Sequence, residues 1–175
     1  MAFRTERSLD DIAWRILIAL QGDARLSFSA LGRQVGLSPP AAAERVRRLE
    51  EAGIISGYRA ELNLERLGFP ITAIIRVSTP EHQFARLKTV VAELQEVLEC
   101  YHVTGADSLV VKVVALSVGH LEKVIEQLGR HGTPTTSIIL SSPVARRPVQ
   151  GFPDSAHDRA RPSASRPRKG RRTRG

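Results

Sequence analysis

A single cysteine, Cys100, stands in 175 residues. One thiol forms no internal disulfide and no multi-cysteine metal site, which fits a reducing compartment. No apolar run approaches the ~20 residues that a bilayer-crossing helix needs. The opening stretch MAFRTERSLDD lacks the apolar centre of a signal peptide. No membrane partner and a cytoplasmic location are therefore expected. His82, His102, His120, His131 and His157 include no close pair at metal-ligand spacing, so neither metal nor cofactor is expected. Also missing are a nucleophile motif, a phosphate-cradling glycine loop and a carboxylate pair that the architecture clearly brings together. The chain reads as a non-enzyme.

Excess charge is missing from most of the chain as well. The formal net charge is +8, but ten Lys and Arg face only two Asp from Val144 onward, which leaves 16 basic and 16 acidic side chains before it. Basicity alone thus says nothing about the folded part. The tail, residues 144–175, is rich in Pro, Ser and Arg and poor in apolar residues, so it is expected to be disordered. Its arginines either attract phosphates without regard to sequence or belong to an inert extension.

What the chain does have is a pair of short helices in Ser27 to Gly53. Leu31 and Val35 lie four apart on one stripe, and Gly36 follows where a helix stops in the left-handed conformation. Ser38 is a capping residue, and Pro39 suits the first helical position because its missing N–H costs nothing there. Ala42, Val46 and Leu49 recur at i, i+4, i+7 and should face inward, leaving Glu44, Arg45, Arg47 and Arg48 on an outer face read as cationic. A helix pair with a glycine-bearing turn and a basic second helix is the helix-turn-helix arrangement, whose second helix lies in the DNA major groove.

Ahead of it, Ser8 followed by Leu-Asp-Asp is a helix start, and Ile12, Ile16, Leu17 and Leu20 line one face of a supporting helix. After Gly53 the period becomes two: Tyr58, Ala60 and Leu62 alternate with Arg59, Glu61 and Asn63, which predicts the first strand of a wing. Glu65 to Pro70 combines a glycine and a proline and reads as a hinge. Beyond it the pattern is strand (Ile71–Ser78), helix from Glu81, strand (Val97–Thr104), strand (Leu109–Ala115), helix (Val118–Leu128) and strand (Thr135–Leu140). This β-α-β-β-α-β order is the ferredoxin-like pattern. Two helices cover one sheet face, so a second subunit is expected on the other. The fold class is α+β: a winged helix-turn-helix domain (1–62), a hinge (63–70), a ferredoxin-like effector and dimerisation domain (71–143) and the tail (144–175).

Leu9-Asp10, Ile16-Leu17, Arg25-Leu26-Ser27, Val35-Gly36-Leu37-Ser38-Pro39, Arg45-Val46-Arg47-Arg48-Leu49-Glu50, Gly53-Ile54-Ile55, Gly57-Tyr58 and Val103-Thr104-Gly105 occur in this order. With these motifs the chain resembles the Lrp/AsnC, or feast/famine, regulators over residues 8 to about 143. The resemblance implies a transcriptional regulator that binds double-stranded DNA, commonly in amino-acid metabolism. It also implies homodimers that associate into octamers, on the nucleoid, and an amino-acid effector bound between dimers near the loop after the second strand of the effector domain. That loop is Thr104, Gly105, Ala106, Asp107 and Ser108. Many members carry Asp where this chain has Ser108, and here Asp107 comes one residue early. Ala13 and Ala24 also depart from the usual Asp and Gly.

Within such a helix pair, Ser38, Pro40, Ala41 and Glu44 are the base-edge candidates, with Arg45, Arg47 and Arg48 as phosphate or guanine contacts. The alternatives are a solvated face with Glu44 paired to Arg48, and an Arg45 that braces the helix pair. Thr104, Gly105 and Asp107 serve equally well as a hairpin turn. Two other functions stay open: an effector-independent architectural DNA-binding protein, and a sirohaem-decarboxylase-like enzyme of the same two-part architecture, which would need His102 or His120 for the tetrapyrrole.

Overall fold

The structure is a computed structural model that describes residues 9–150. The chain divides into two compact units. Among the described residues, one takes in those up to Arg59 together with 146–150; the other is Ala60–Ala145.

The first unit holds α1 (Asp11–Gly22), α2 (Phe28–Val35) and α3 (Pro39–Glu51). Ala13, Ile16, Leu31, Val35, Val46 and Leu49 form its core, with Ile12, Leu17 and Leu20 packed around them. The expected inward faces are therefore the ones that pack. The cap of α1 is Asp10, whose Oδ1 accepts from the Ala13 N–H at 2.8 Å; the expected cap, Ser8, lies outside the described residues. Gly36 ends α2 at φ 79°, and the Ser38 hydroxyl accepts from the Ala41 N–H at the start of α3. The Leu37 N–H donates back to the Gly32 carbonyl at 2.8 Å. That return brings the Leu37 carbonyl oxygen within 2.5 Å of where a Gly32 Cβ would sit. Only glycine fits at Gly32.

The wing strand does not form. Residues 56–63 have no strand conformation and are exposed throughout. Alternation of period two specifies which face a strand would bury, but a strand also needs a partner ladder. All four strands of the described residues belong to the other unit. In the expected hinge, Asn63 Oδ1 accepts from the Arg66 N–H, and Phe69 and Gly68 donate to the Leu64 and Glu65 carbonyls. With Gly68 at φ 90°, the stretch is a single helical turn closed in the manner of a helix C-terminus.

The second unit is a four-stranded antiparallel sheet, order β2-β3-β1-β4, from β1 (Ile71–Ser78), β2 (Val97–His102), β3 (Leu109–Ala115) and β4 (Thr133–Ile138). Its helices are α4 (Glu81–Glu93) and α5 (Val118–Gly129). Alternate residues Ala73, Ile75, Val77 and Leu109, Val111, Val113 pack beneath Leu87, Val91, Leu121, Val124 and Leu128 of the helices. The order is the expected ferredoxin-like one. β4 begins two residues early because its register places Thr133 opposite Ser78 and Ile138 opposite Ala73. Residues 144–150, expected to be disordered, are described, and Val149 is hydrogen-bonded to Gln21. The rest of the tail lies outside the described residues. No helix of the described residues is long and apolar enough to cross a membrane.

Gly32→Ala should lower the unfolding free energy by about 1–3 kcal/mol, the usual effect of forcing a methyl into packed structure. Gly22→Ala, where an added Cβ meets nothing within 4 Å, should change it by less than about 1 kcal/mol. Urea titration followed by the fluorescence of Trp14, the only tryptophan, compares them; coincident midpoints would contradict the close approach.

Candidate functional site

On α3 the three arginines point outward but none stands alone. Arg47 pairs with Glu44 at 2.8 Å and with Glu51, and Arg48 Nε donates to Glu44 Oε1 at 2.8 Å. Glu44 thus holds two guanidinium groups, through side chains three and four residues away on the same helix face. The two hydrogen bonds hold its carboxyl down at about 2. Arg45 reaches away from this cluster to Asp10 Oδ2 at 2.8 Å. Asp10 therefore caps α1 with one oxygen and fastens α3 with the other, and the Ala13 N–H and Arg45 together lower its pKa. Of the two roles weighed for Arg45, bracing is the one its geometry serves.

With Glu44, Glu50 and Glu51 against Arg45, Arg47 and Arg48, the helix carries no net formal charge, so the face expected to be cationic is neutral. The guanidiniums nevertheless stay reachable: Arg47 and Arg48 side chains are 55% and 68% exposed. Pro40 is exposed, Ala41 and Glu44 are half-buried, and the Ser38 hydroxyl is engaged as the cap. At the other end of α3 the Tyr58 hydroxyl donates to Glu50 at 2.8 Å.

The β2–β3 loop brings Thr104 to Ser108 together, but with two different standings. Thr104, Gly105 and Ala106 are exposed, and Gly105 has φ 115°, a conformation open to glycine. Asp107 and Ser108 are half-buried. The Ser108 hydroxyl accepts from the Thr79 N–H at 3.2 Å and donates to the Thr79 carbonyl, while its own N–H donates to Val77 at 2.9 Å. Ser108 clamps the loop to the end of β1, a tertiary role that no local motif announces.

A groove of about 420 Å³ runs beside the loop between α4 and β2, lined by Lys88, Val91, Leu94, Cys100, His102 and Leu109. His102 lies 4.6 Å from the Phe84 ring, and burial pushes the Cys100 thiol up. His120 has both ring nitrogens engaged: Nδ1 accepts from the Leu116 N–H, and Nε2 meets Glu96 at 2.8 Å. No group of three or more metal-ligating side chains occurs among the described residues.

Two family models match: an AsnC-type helix-turn-helix domain over residues 9–50, and an Lrp/AsnC ligand binding domain over residues 72–149. The chain belongs to the Lrp/AsnC family. It is similar to the uncharacterized HTH-type transcriptional regulator YezC of Bacillus subtilis, 42% identical over 135 residues, covering 77% of this chain and 95% of that protein. Among solved structures, LrpC of Bacillus subtilis superposes with a TM-score of 0.74 at 34% identity, covering 78% of this chain and 97% of that one. A transcriptional regulator from Neisseria meningitidis in complex with L-Met gives 0.76 at 27% identity, covering 81% and 96%. As an Lrp/AsnC member, with an AsnC-type helix-turn-helix domain, the chain is a DNA-binding transcriptional regulator. The relatives are named as transcriptional regulators.

Two measurements check this geometry. Because the folded pKa of Glu44 lies below its ordinary 4.5, the pairs contribute at neutral pH and are lost only as pH falls through about 2. A carboxyl NMR titration should place the Glu44 midpoint near 2; a midpoint at the ordinary value would mean the pairs do not persist in solution. Ser108→Ala leaves the half-buried Thr79 N–H without its acceptor and should cost about 1–3 kcal/mol in denaturant unfolding. An unchanged stability would remove Ser108 from the clamp.

Proposed function

We propose that this regulator reads a specific operator with the first half of α3 and responds to an amino acid or a close chemical relative at the β2–β3 loop. Ser38, Pro40, Ala41 and Glu44 face the base edges; Arg47 and Arg48 exchange Glu44 for phosphate or guanine, and Arg45 holds α3 in place. The observation that carries this reading is the exposed start of α3, set at a fixed angle by the Gly32–Leu37 return and presenting small side chains next to exposed guanidiniums. In the loop, exposed backbone N–H groups around Thr104–Ala106 suit a carboxylate and Asp107 suits an ammonium group. The Neisseria regulator solved with L-Met supports an effector of this class.

The regulator works as a homodimer or as an octamer built from dimers, in the cytoplasm, on the nucleoid. Support for the dimer comes from the sheet face opposite the helices. There Ile74, Val110 and Val114 sit among Arg76, Lys112 and Glu99, with no helix of their own unit above them. A symmetric dimer presents two copies of α3, so the operator is palindromic, with half-sites about one DNA turn apart. A ligand alters occupancy only through a difference in affinity between assemblies.

Selection from a random duplex pool should enrich a palindrome. Against it, Ala41→Leu should cost about 1–3 kcal/mol, while Arg48→Ala should weaken all duplexes alike and reduce the salt slope by about 1. Failure to enrich any sequence would overturn the operator reading. Thermal shifts against the twenty amino acids, read with particle size, test the effector; no shift with any of them would favour the effector-independent architectural role.

A further inference from the structure

The groove between α4 and β2 holds polar groups that the chain itself leaves without partners. Cys100 and His102 alternate along β2 opposite Val111 and Leu109, so both project to the sheet face that the helices cover. There they meet Lys88 and Val91 of α4, and Leu94, Val97 and Leu109 complete the wall of a space of about 420 Å³.

One aromatic ring sets the two nitrogen-bearing side chains. Phe84 lies 4.6 Å from the His102 ring, tilted by 42°, and the Lys88 Nζ stands 5.7 Å from the Phe84 centroid. Lys88 follows Phe84 by one turn of α4, the spacing that brings an ammonium over a ring on the same helix face. Neither the Lys88 ammonium nor the His102 imidazole has a hydrogen bond or an ion pair among the described residues. No described residue that lines the groove bears a carboxylate.

These facts define a charge preference. An ammonium and an imidazole N–H both donate, and the side chain beside them that accepts is a thiol, a weak acceptor. The space therefore suits an anion with an apolar body. A second cation would meet Lys88 with no carboxylate to offset it. The β2–β3 loop has the opposite character through Asp107, and none of Thr104 to Ser108 lines the groove.

We propose that this groove is a small-molecule site of its own, for a carboxylic acid with an apolar body and no ammonium group. The carboxylate accepts from Lys88 Nζ and from the His102 ring N–H, while the body lies along Val91, Leu94, Val97 and Leu109. Phe84 positions both donors. The site stands on these observations alone and does not require the loop to bind an amino acid.

Cys100, the only cysteine of the chain, serves as the reporter, because a ligand in the groove shields its thiol. The full-length chain is alkylated with iodoacetamide and followed by intact mass, with phenylpropanoate, its uncharged amide, or L-phenylalanine present at about 10 mM, enough to fill a site of millimolar affinity. L-Phenylalanine has the same skeleton with an added ammonium. Phenylpropanoate should slow alkylation about fivefold or more, and the other two by less than about twofold. Lys88→Gln should raise the phenylpropanoate concentration for half protection about tenfold, while Lys88→Arg, which keeps the charge, should hold it within about threefold. Lys88 is exposed, so neither change should disturb folding. Each variant is compared with its own rate without ligand, since a neighbouring charge alters thiol reactivity by itself. No shielding by phenylpropanoate, equal shielding by its amide or by L-phenylalanine, or an unchanged half-protection concentration in Lys88→Gln would each overturn the site.

Discussion

The Leu37 carbonyl lying against Gly32 is the contact on which the DNA-binding unit depends. A Cβ there would meet it at 2.5 Å, so two backbones touch where side chains ordinarily keep helices apart. The contact requires a chain that reverses immediately after α2, which Gly36 permits at φ 79°. It also sets the direction in which Ser38 and Pro39 launch α3. Once that angle is set, Ala42, Val46 and Leu49 turn inward, and Asp10 can reach Arg45 across the unit. The exposed beginning of α3 is thus the result of a backbone constraint at Gly32.

Neutral pairing on α3 changes how the arginines are understood. Exposed ion pairs are worth about 0–1 kcal/mol, so exchanging Glu44 for a DNA phosphate costs little. While unbound, the pairs hold Arg47 and Arg48 side by side, and the helix offers no bare cluster of charge to arbitrary polyanions. A recognition helix of zero net charge gains correspondingly little sequence-blind affinity.

Much of this was legible in the sequence because it is local. Gly36, Ser38 and Pro39 mark a helix end and a helix start within four residues, and the stripes of α1, α3, α4 and α5 repeat at helical spacing. β1 and β3 are apolar runs bounded by turn residues. What escaped is non-local. Asp10 and Arg45 are 35 residues apart, Thr79 and Ser108 are 29 apart, and Gln21 and Val149 are 128 apart; no periodicity encodes such pairs. The wing failed for a related reason. Tyr58 to Asn63 has the alternation of a strand, but alternation carries no information about whether a neighbour exists to pair with. The neutrality of α3 was countable from Glu44, Glu50 and Glu51, yet the arginines drew the reading toward a cationic face.

The proposed effector loop shows why a tied residue and a free one make a usable device together. Thr104 to Ala106 stand exposed, while Ser108, two residues on, is bonded to both backbone groups of Thr79 and to the Val77 carbonyl. A ligand drawn to the exposed part therefore pulls on a loop whose far end is fastened to β1. β1 is the strand that pairs with both β3 and β4, so a strain there is shared across the sheet instead of being absorbed by a floppy turn. Packed sheets resist continuous deformation. A small molecule at this loop shifts an equilibrium only if it binds the competing arrangements unequally. Ser108 is the internal clamp of this loop, and Asp107 is its single carboxylate.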